Sequence, residues 1–100
     1  MSLDIQHDEA AHKYSAWIDG EEAVATYRDE GDGTVNFTHT VVPPDLRGQG
    51  IGGELVRHAL EDTLRRGRRF RASCPFVQRY VERHPQYLKD MAQLHGGERR

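Results

Sequence analysis

The segment PPDLRGQGIGGELVRHAL, residues 43–60, carries the strongest structural signal in the chain. Its two prolines end any preceding strand, because proline cannot donate to a sheet ladder. Four glycines then fall within six positions: Gly48, Gly50, Gly52 and Gly53. After them, apolar residues recur at helical spacing. The segment therefore predicts a glycine-rich turn that opens an amphipathic helix, whose unpaired N–H groups favour a phosphate.

The residues before this segment predict an antiparallel meander. Alternating apolar positions and β-branched residues indicate strands at residues 12–19, 22–29 and 34–42, with a weaker candidate at residues 3–8. Asp19-Gly20 is typical of the turn between two paired strands. Four strands in succession therefore precede the glycine-rich turn.

The residues after this segment predict a crossover and a second helix. Gly67 is typical of a helix C-cap, and residues 70–73 are expected to form a short strand parallel to residues 34–42. Pro75 is well placed to begin a helix that stops before Pro85. The predicted fold is α+β, a mixed five-stranded sheet in the order β-β-β-β-α-β-α. We expect one domain over residues 1–94 and a frayed tail over residues 95–100.

Charge is distributed unevenly along the 100 residues, although the net charge is only −2. Ten acids face two basic residues in residues 1–45, whereas twelve Lys or Arg face six acids in residues 46–100. An anionic ligand would gain most beside the basic half, where the glycines lie. No apolar run reaches membrane-spanning length, no secretory signal is evident and there is one cysteine, so we expect a cytoplasmic protein.

Three known phosphate-binding glycine motifs can be compared with this segment. Gly48, Gly50 and Gly53 fit the dinucleotide pattern G-x-G-x-x-G, but that pattern requires a first parallel strand directly before it and an acid about twenty residues later. No Gly-Lys-Ser/Thr triplet of a Walker A loop occurs. The remaining pattern, R-x-x-G-x-G, contains Arg47 and Gly52 and opens a helix directly after a strand-ending bend.

This last pattern resembles the diphosphate-binding loop of the GNAT superfamily of N-acetyltransferases. The segments THTVVPPDLRGQGIGGELVRHALEDTLRRG and CPFVQRYVERHPQY resemble its small, single-domain YjdJ-type branch. The resemblance implies an acetyl-CoA-binding enzyme that acetylates an amine. It assigns the coenzyme diphosphate to the backbone amides of Arg47, Gly48, Gln49, Gly50, Ile51, Gly52 and Gly53. Val41 and Val42 would pair with the pantetheine arm, and Arg68, Arg69, Arg71 or Arg79 would meet the 3′-phosphate.

The resemblance also raises a question about catalysis. The superfamily commonly has an Asn at the start of the second helix and, seven residues later, a Tyr that protonates the leaving thiolate. Cys74 and Val81 occupy these positions, and Tyr80 lies one residue early, about 100° around the helix. The thiol of Cys74 could attack the thioester or protonate the leaving group. It could equally be a small buried residue at a helix start.

His39 is the second catalytic candidate. Strand alternation places it on the side of Phe37 and Val41, beside the expected thioester site. Imidazoles commonly titrate near neutral pH, so this histidine could accept the proton of the amine. The alternative is a half-buried histidine held by a neighbouring side chain.

Two other functional classes stay open. A short chain without the usual catalytic Tyr could be a non-catalytic acyl-CoA-binding module. The arginine cluster over residues 65–71 could bind nucleic acid, although no aromatic stacking platform accompanies it and the acidic first half would repel a polyanion. His7, His12, His58 and His95 lack metal-ligand spacing, so no metal is expected. A homodimer could complete the small acceptor pocket.

Overall fold

A computed structural model describes residues 3–91 of the chain. Its strands are β1 (Ile5–Asp8), β2 (Lys13–Ile18), β3 (Glu21–Asp29), β4 (Thr34–Val41) and β5 (Arg69–Ala72), and its helices are α1 (Ile51–Arg65) and α2 (Pro75–Arg83). Short 3-10 turns cover Pro44–Leu46 and Pro85–Asp90. The predicted order of elements is confirmed. The tail predicted over residues 95–100 lies outside the described residues.

One mixed sheet contains all five strands in the order β1-β2-β3-β4-β5. The first three pairings are antiparallel, and β5 lies parallel to β4 from Thr34 opposite Arg69 to Phe37 opposite Ala72. The predicted α+β class with a mixed five-stranded sheet is therefore confirmed. Residues 3–91 include no helix that is long and apolar enough to cross a membrane.

Both helices pack on one face of the sheet. Leu55, Val56 and Leu60 of α1 join Val77 and Val81 of α2 in a single buried cluster. The strands contribute Tyr14, Phe37 and Phe70 to that cluster. On the opposite face, which we call the outer face, Trp17 of β2 is 56% exposed.

A β-bulge in β4 changes which side chains share a face. Thr26 of β3 lies opposite His39, but the next residue, Tyr27, lies opposite Phe37, so Thr38 is one extra residue in β4. Strand alternation is broken at this point. The expectation that His39 lies on the side of Phe37 is therefore wrong: Phe37 is buried under the helices, whereas His39 is exposed on the outer face with Val41.

Helix boundaries follow local residue chemistry. Gly50, the N-cap of α1, has a φ of 78°, and Gly67 has the same φ after the helix end, where a side chain would be strained. Pro75 begins α2, where its missing N–H leaves no intrahelical bond unmade. These boundaries agree with the sequence prediction.

A polar network ties the first two strands to α1. The Tyr14 hydroxyl donates to Asp62 Oδ2 at 2.7 Å, and the His7 ring stacks on Tyr14 with centroids 4.1 Å apart. His7 Nε2 lies 2.6 Å from the Tyr27 hydroxyl, and its buried Nδ1 lies 3.3 Å from Asp62 Oδ2 without forming a hydrogen bond among the described residues. Burial lowers the pKa of His7, and the Arg66 cation lowers it further against the opposing effect of Asp62.

This network predicts that stability depends on pH. Because the unfolded chain binds the His7 proton more readily than the folded one, the free energy of unfolding should fall as the pH is lowered from about 7.5 through the unfolded-state pKa of about 6.5. The lowered pKa of Asp62 affects stability only at more acidic pH, below about pH 5. Urea unfolding across this range should show that the free energy of unfolding depends less on pH in His7→Gln than in the wild type. The exposed control His39→Gln should show the same pH dependence as the wild type. An equal slope in the wild type and His7→Gln would contradict the assignment.

Candidate active site

The site forms where β4 and β5 separate. Their pairing ends at Phe37 and Ala72, and the Phe37 carbonyl accepts both the Ser73 and the Cys74 N–H at 3.0 Å. The chain then turns into α2, while β4 continues to Val41 with only β3 as a partner. We call residues 38–42 on the side left by β5 the open edge of β4. Backbone groups on such an edge can pair with an extended ligand.

A cavity of about 690 Å³ lies beside the open edge, between the turn before α1 and one side of α2. Of the predicted cofactor-binding residues, those that line it are Val41, Val42, Arg47, Gly48, Gly50, Ile51, Gly52, Gly53 and Arg79. Gln49 does not line the cavity, because its side chain turns away and donates to the Asp45 carbonyl at 3.3 Å. The expectation for its backbone N–H stays a prediction.

The N-terminus of α1 forms one wall of this cavity. The first intrahelical hydrogen bond runs from the Glu54 N–H to the Gly50 carbonyl at 3.1 Å, and no side chain caps the helix. The N–H groups of Gly52 and Gly53 therefore precede the hydrogen-bonded ladder, and the described residues offer them no acceptor. Bare amides at the positive end of a helix dipole suit a phosphate.

The charged side chains described in the cavity wall are all basic. Three arginines, Arg47, Arg79 and Arg83, line the cavity, and no described aspartate or glutamate does. Arg47 Nε donates to the Val42 carbonyl at 3.0 Å, which holds the loop against the strand end. A chain with net charge −2 thus presents a cationic cavity, which attracts anions.

One side of α2 contributes residues that the sequence did not single out as ligand-binding. Phe76, Tyr80, Arg83 and His84 all line the cavity. Their spacing of four, seven and eight residues is that of one helix face, a signal that was available from the sequence. Tyr80 stacks on His84 with centroids 4.1 Å apart, and burial raises the pKa of Tyr80.

Val81 occupies the position where the superfamily commonly has its Tyr, but its side chain is 1% exposed in the core. Tyr80 instead lies on the cavity wall, one residue earlier. The aromatic residue of this helix is therefore at the cavity in spite of its shifted position.

Cys74 is the N-cap of α2 and is 4% exposed. Its Sγ donates to Thr40 Oγ1 at 3.5 Å, and Thr40 lines the cavity whereas Cys74 does not. The thiol therefore lies directly behind the Thr40 side chain. His39 is also absent from the cavity wall, and its Nδ1 lies 3.1 Å from Thr38 Oγ1 on the outer face.

Comparison with known proteins identifies the family. The family model of the GCN5-related N-acetyltransferases matches residues 13–91, so the chain belongs to this family. Protein NATD1 of Xenopus tropicalis is 32% identical over 92 residues, which cover 88% of this chain and 84% of the relative. Protein NATD1 of Mus musculus is 32% identical over 89 residues, which cover 85% and 81% respectively.

A solved structure confirms the fold. The solution structure of a GCN5-like protein from Staphylococcus aureus superimposes with a TM-score of 0.69, at 26% identity and with 98% of each chain covered. The GNAT resemblance seen in the sequence is therefore confirmed. Members of this family generally use acetyl-CoA as a cosubstrate.

The close packing at the start of α1 gives a test of the cavity wall. A Cβ at Gly52 would lie 2.7 Å from Phe76 Cζ and 3.3 Å from Val42 Cγ2, whereas one at Gly53 would lie 3.7 Å from Tyr80 Cε1. Gly52→Ala should therefore displace the Phe76 ring and cost about 1–3 kcal/mol of stability, by overpacking. Gly53→Ala is the matched control and should be neutral or stabilising by up to about 1 kcal/mol. Thermal and urea unfolding measure both, and equal effects would contradict this packing.

Proposed function

We propose that the protein binds acetyl-CoA in this cavity and transfers the acetyl group to an amine. The observation that carries the proposal is the bare N-terminus of α1 in a cationic cavity without a described carboxylate, directly beside the open edge of β4. Membership of the N-acetyltransferase family supports the reaction class.

In the proposed complex, the diphosphate, the pantetheine arm and the thioester of acetyl-CoA each contact a different part of the protein. The N–H groups from Arg47 to Gly53 hold the diphosphate, since glycine lets the backbone approach without a Cβ. The pantetheine amides pair along the open edge at Val41 and Val42, as an added strand would. A backbone N–H of this edge polarises the thioester carbonyl and stabilises the oxyanion that develops on it.

We propose that the thiol of Cys74, which contacts Thr40 of the cavity wall, takes part in the reaction of the thioester. In one route the Cys74 sulfur attacks the carbonyl, the bond to the coenzyme sulfur breaks, and the Cys74 proton leaves with the coenzyme as its thiol; the acetyl group then passes from Cys74 to the amine, and the thiol is restored. In the other route the amine attacks directly, and the Cys74 thiol donates its proton to the departing coenzyme thiolate. His39 is proposed as the group that accepts the amine proton.

The nucleic-acid alternative gains no support from the arginine cluster. Arg68 Nη2 lies 2.9 Å from Asp29, and Arg71 Nη1 lies 2.8 Å from Glu30. Arg66 pairs with Glu9 and Asp62. These carboxylates neutralise much of the charge that a polyanion would need.

Binding should depend on the backbone conformation at Gly50. Gly50 and Gly31 both have positive φ, at 78° and 82°, and neither has a neighbour that a Cβ would meet. Gly50→Ala strains the loop that carries the amides, so calorimetry should show about tenfold weaker binding of acetyl-CoA. Gly31→Ala introduces the same kind of strain in the β3–β4 turn and should leave affinity unchanged. The proposal is overturned if the folded wild type gives no binding heat with acetyl-CoA.

Turnover and intact mass should separate the roles of Cys74. If the thiol is the nucleophile, acetyl-CoA should add about 42 Da to the wild type, and Cys74→Ser should abolish the adduct. A proton donor would leave no adduct, but Cys74→Ser would lower kcat on an amine panel. Full activity of Cys74→Ser without an adduct would assign the cysteine to packing alone. Binding by the wild type without turnover of any amine would favour a non-catalytic module.

A further inference from the structure

Two arginines on α2 line the cavity without a described carboxylate partner, as Arg47 does in the loop before α1. Arg79 and Arg83 are separated by four positions in the sequence, so they lie on the same helix face. In a helix the Cβ atoms of such a pair are about 6 Å from each other. Both are exposed and both line the cavity. Neither has a carboxylate of residues 3–91 within ion-pair distance; for comparison, Arg57 Nη2 lies 2.5 Å from Glu54.

The other arginines that the sequence allowed as phosphate ligands are committed elsewhere. Arg68 and Arg71 pair with carboxylates of the β3–β4 region, and Arg69 Nη2 donates to the Met91 carbonyl at 3.5 Å. None of the three lines the cavity. Of the four alternatives, Arg79 is therefore the one that lines the cavity, and Arg83 lines it one helical turn further on.

This pair is suited to a phosphate monoester. Such a group carries up to two negative charges at neutral pH and has three acceptor oxygens, enough for two guanidinium forks. Coenzyme A has one phosphate monoester, on the 3′ position of the ribose that also carries its diphosphate. The bare amides of α1 and the arginine pair of α2 would thus meet the two anionic parts of one ligand from two walls of the cavity.

We propose that Arg79 and Arg83 bind the 3′-phosphate of coenzyme A, so that the protein selects coenzyme A over 3′-dephospho-coenzyme A. The inference rests on the proposed function, because it needs the diphosphate on α1. Arginine suits the role because its planar fork pairs with phosphate oxygens in a fixed geometry.

The experiment is calorimetric titration of coenzyme A and of 3′-dephospho-coenzyme A into four proteins: wild type, Arg79→Gln, Arg83→Gln and the double variant. We expect the wild type to bind coenzyme A about tenfold more tightly, and the double variant to bind the two ligands within about twofold of each other. Affinity for 3′-dephospho-coenzyme A should stay nearly constant across the series. The preference should also shrink in about 1 M salt, where screening is strong.

The matched control is Arg28→Gln, which removes one positive charge, as each single variant does, from a side chain that is 68% exposed and does not line the cavity. It should retain the tenfold preference, whereas equal losses in the control and in the two single variants would indicate a general charge effect and overturn the subsite. Equal affinity of the wild type for the two ligands would overturn the subsite while leaving the proposed function intact. Parallel weakening of both ligands in the double variant would place the arginines on the diphosphate instead. Absence of binding for both ligands would overturn the proposed function together with the subsite.

Discussion

The carbonyl of Phe37 accepts two N–H groups, from Ser73 and Cys74, and the rest of the site depends on this arrangement. It ends the parallel ladder after four residue pairs, so the chain leaves the sheet and enters α2 at Pro75. Had β5 continued beside β4, its backbone would have filled the edge that now lies open. The same turn sets α2 against the N-terminus of α1, and the space between these elements is the cavity.

Charge at this cavity follows from how the acids are distributed. Most described arginines outside it lie against carboxylates, as Arg66 does with Glu9 and Asp62, and Arg71 with Glu30. Acids of the first half, such as Glu9, Asp29 and Glu30, therefore neutralise several arginines of the second half, whereas no described carboxylate lines the cavity. A protein with a small negative net charge can thus concentrate positive potential where two anionic groups of one ligand would lie.

Local signals explain what could be predicted from the sequence. Gly50, Gly67 and Pro75 set helix boundaries through their own backbone preferences, and alternation located the strands. The bulge at Thr38 has no local sequence signal, because threonine is common in strands whether or not a bulge is present. Regular alternation therefore predicts the wrong face for His39. The rotation of α2 is likewise set by packing. Val77 and Val81 enter the core, which turns Tyr80 and Arg83 towards the cavity.

The bulge has a further consequence for the proposed reaction. Cys74 contacts Thr40 on the side of the helices, whereas His39 lies on the outer face, so the two candidate groups flank β4 from opposite sides. With the thioester along the open edge, the departing sulfur would meet the thiol side and the amine would approach past the imidazole. Without the extra residue at Thr38, His39 would point under the helices, away from any acceptor. In the proposed complex, an amine would therefore approach the acetyl group from the outer face, where Trp17 is exposed, while the coenzyme would lie in the cavity.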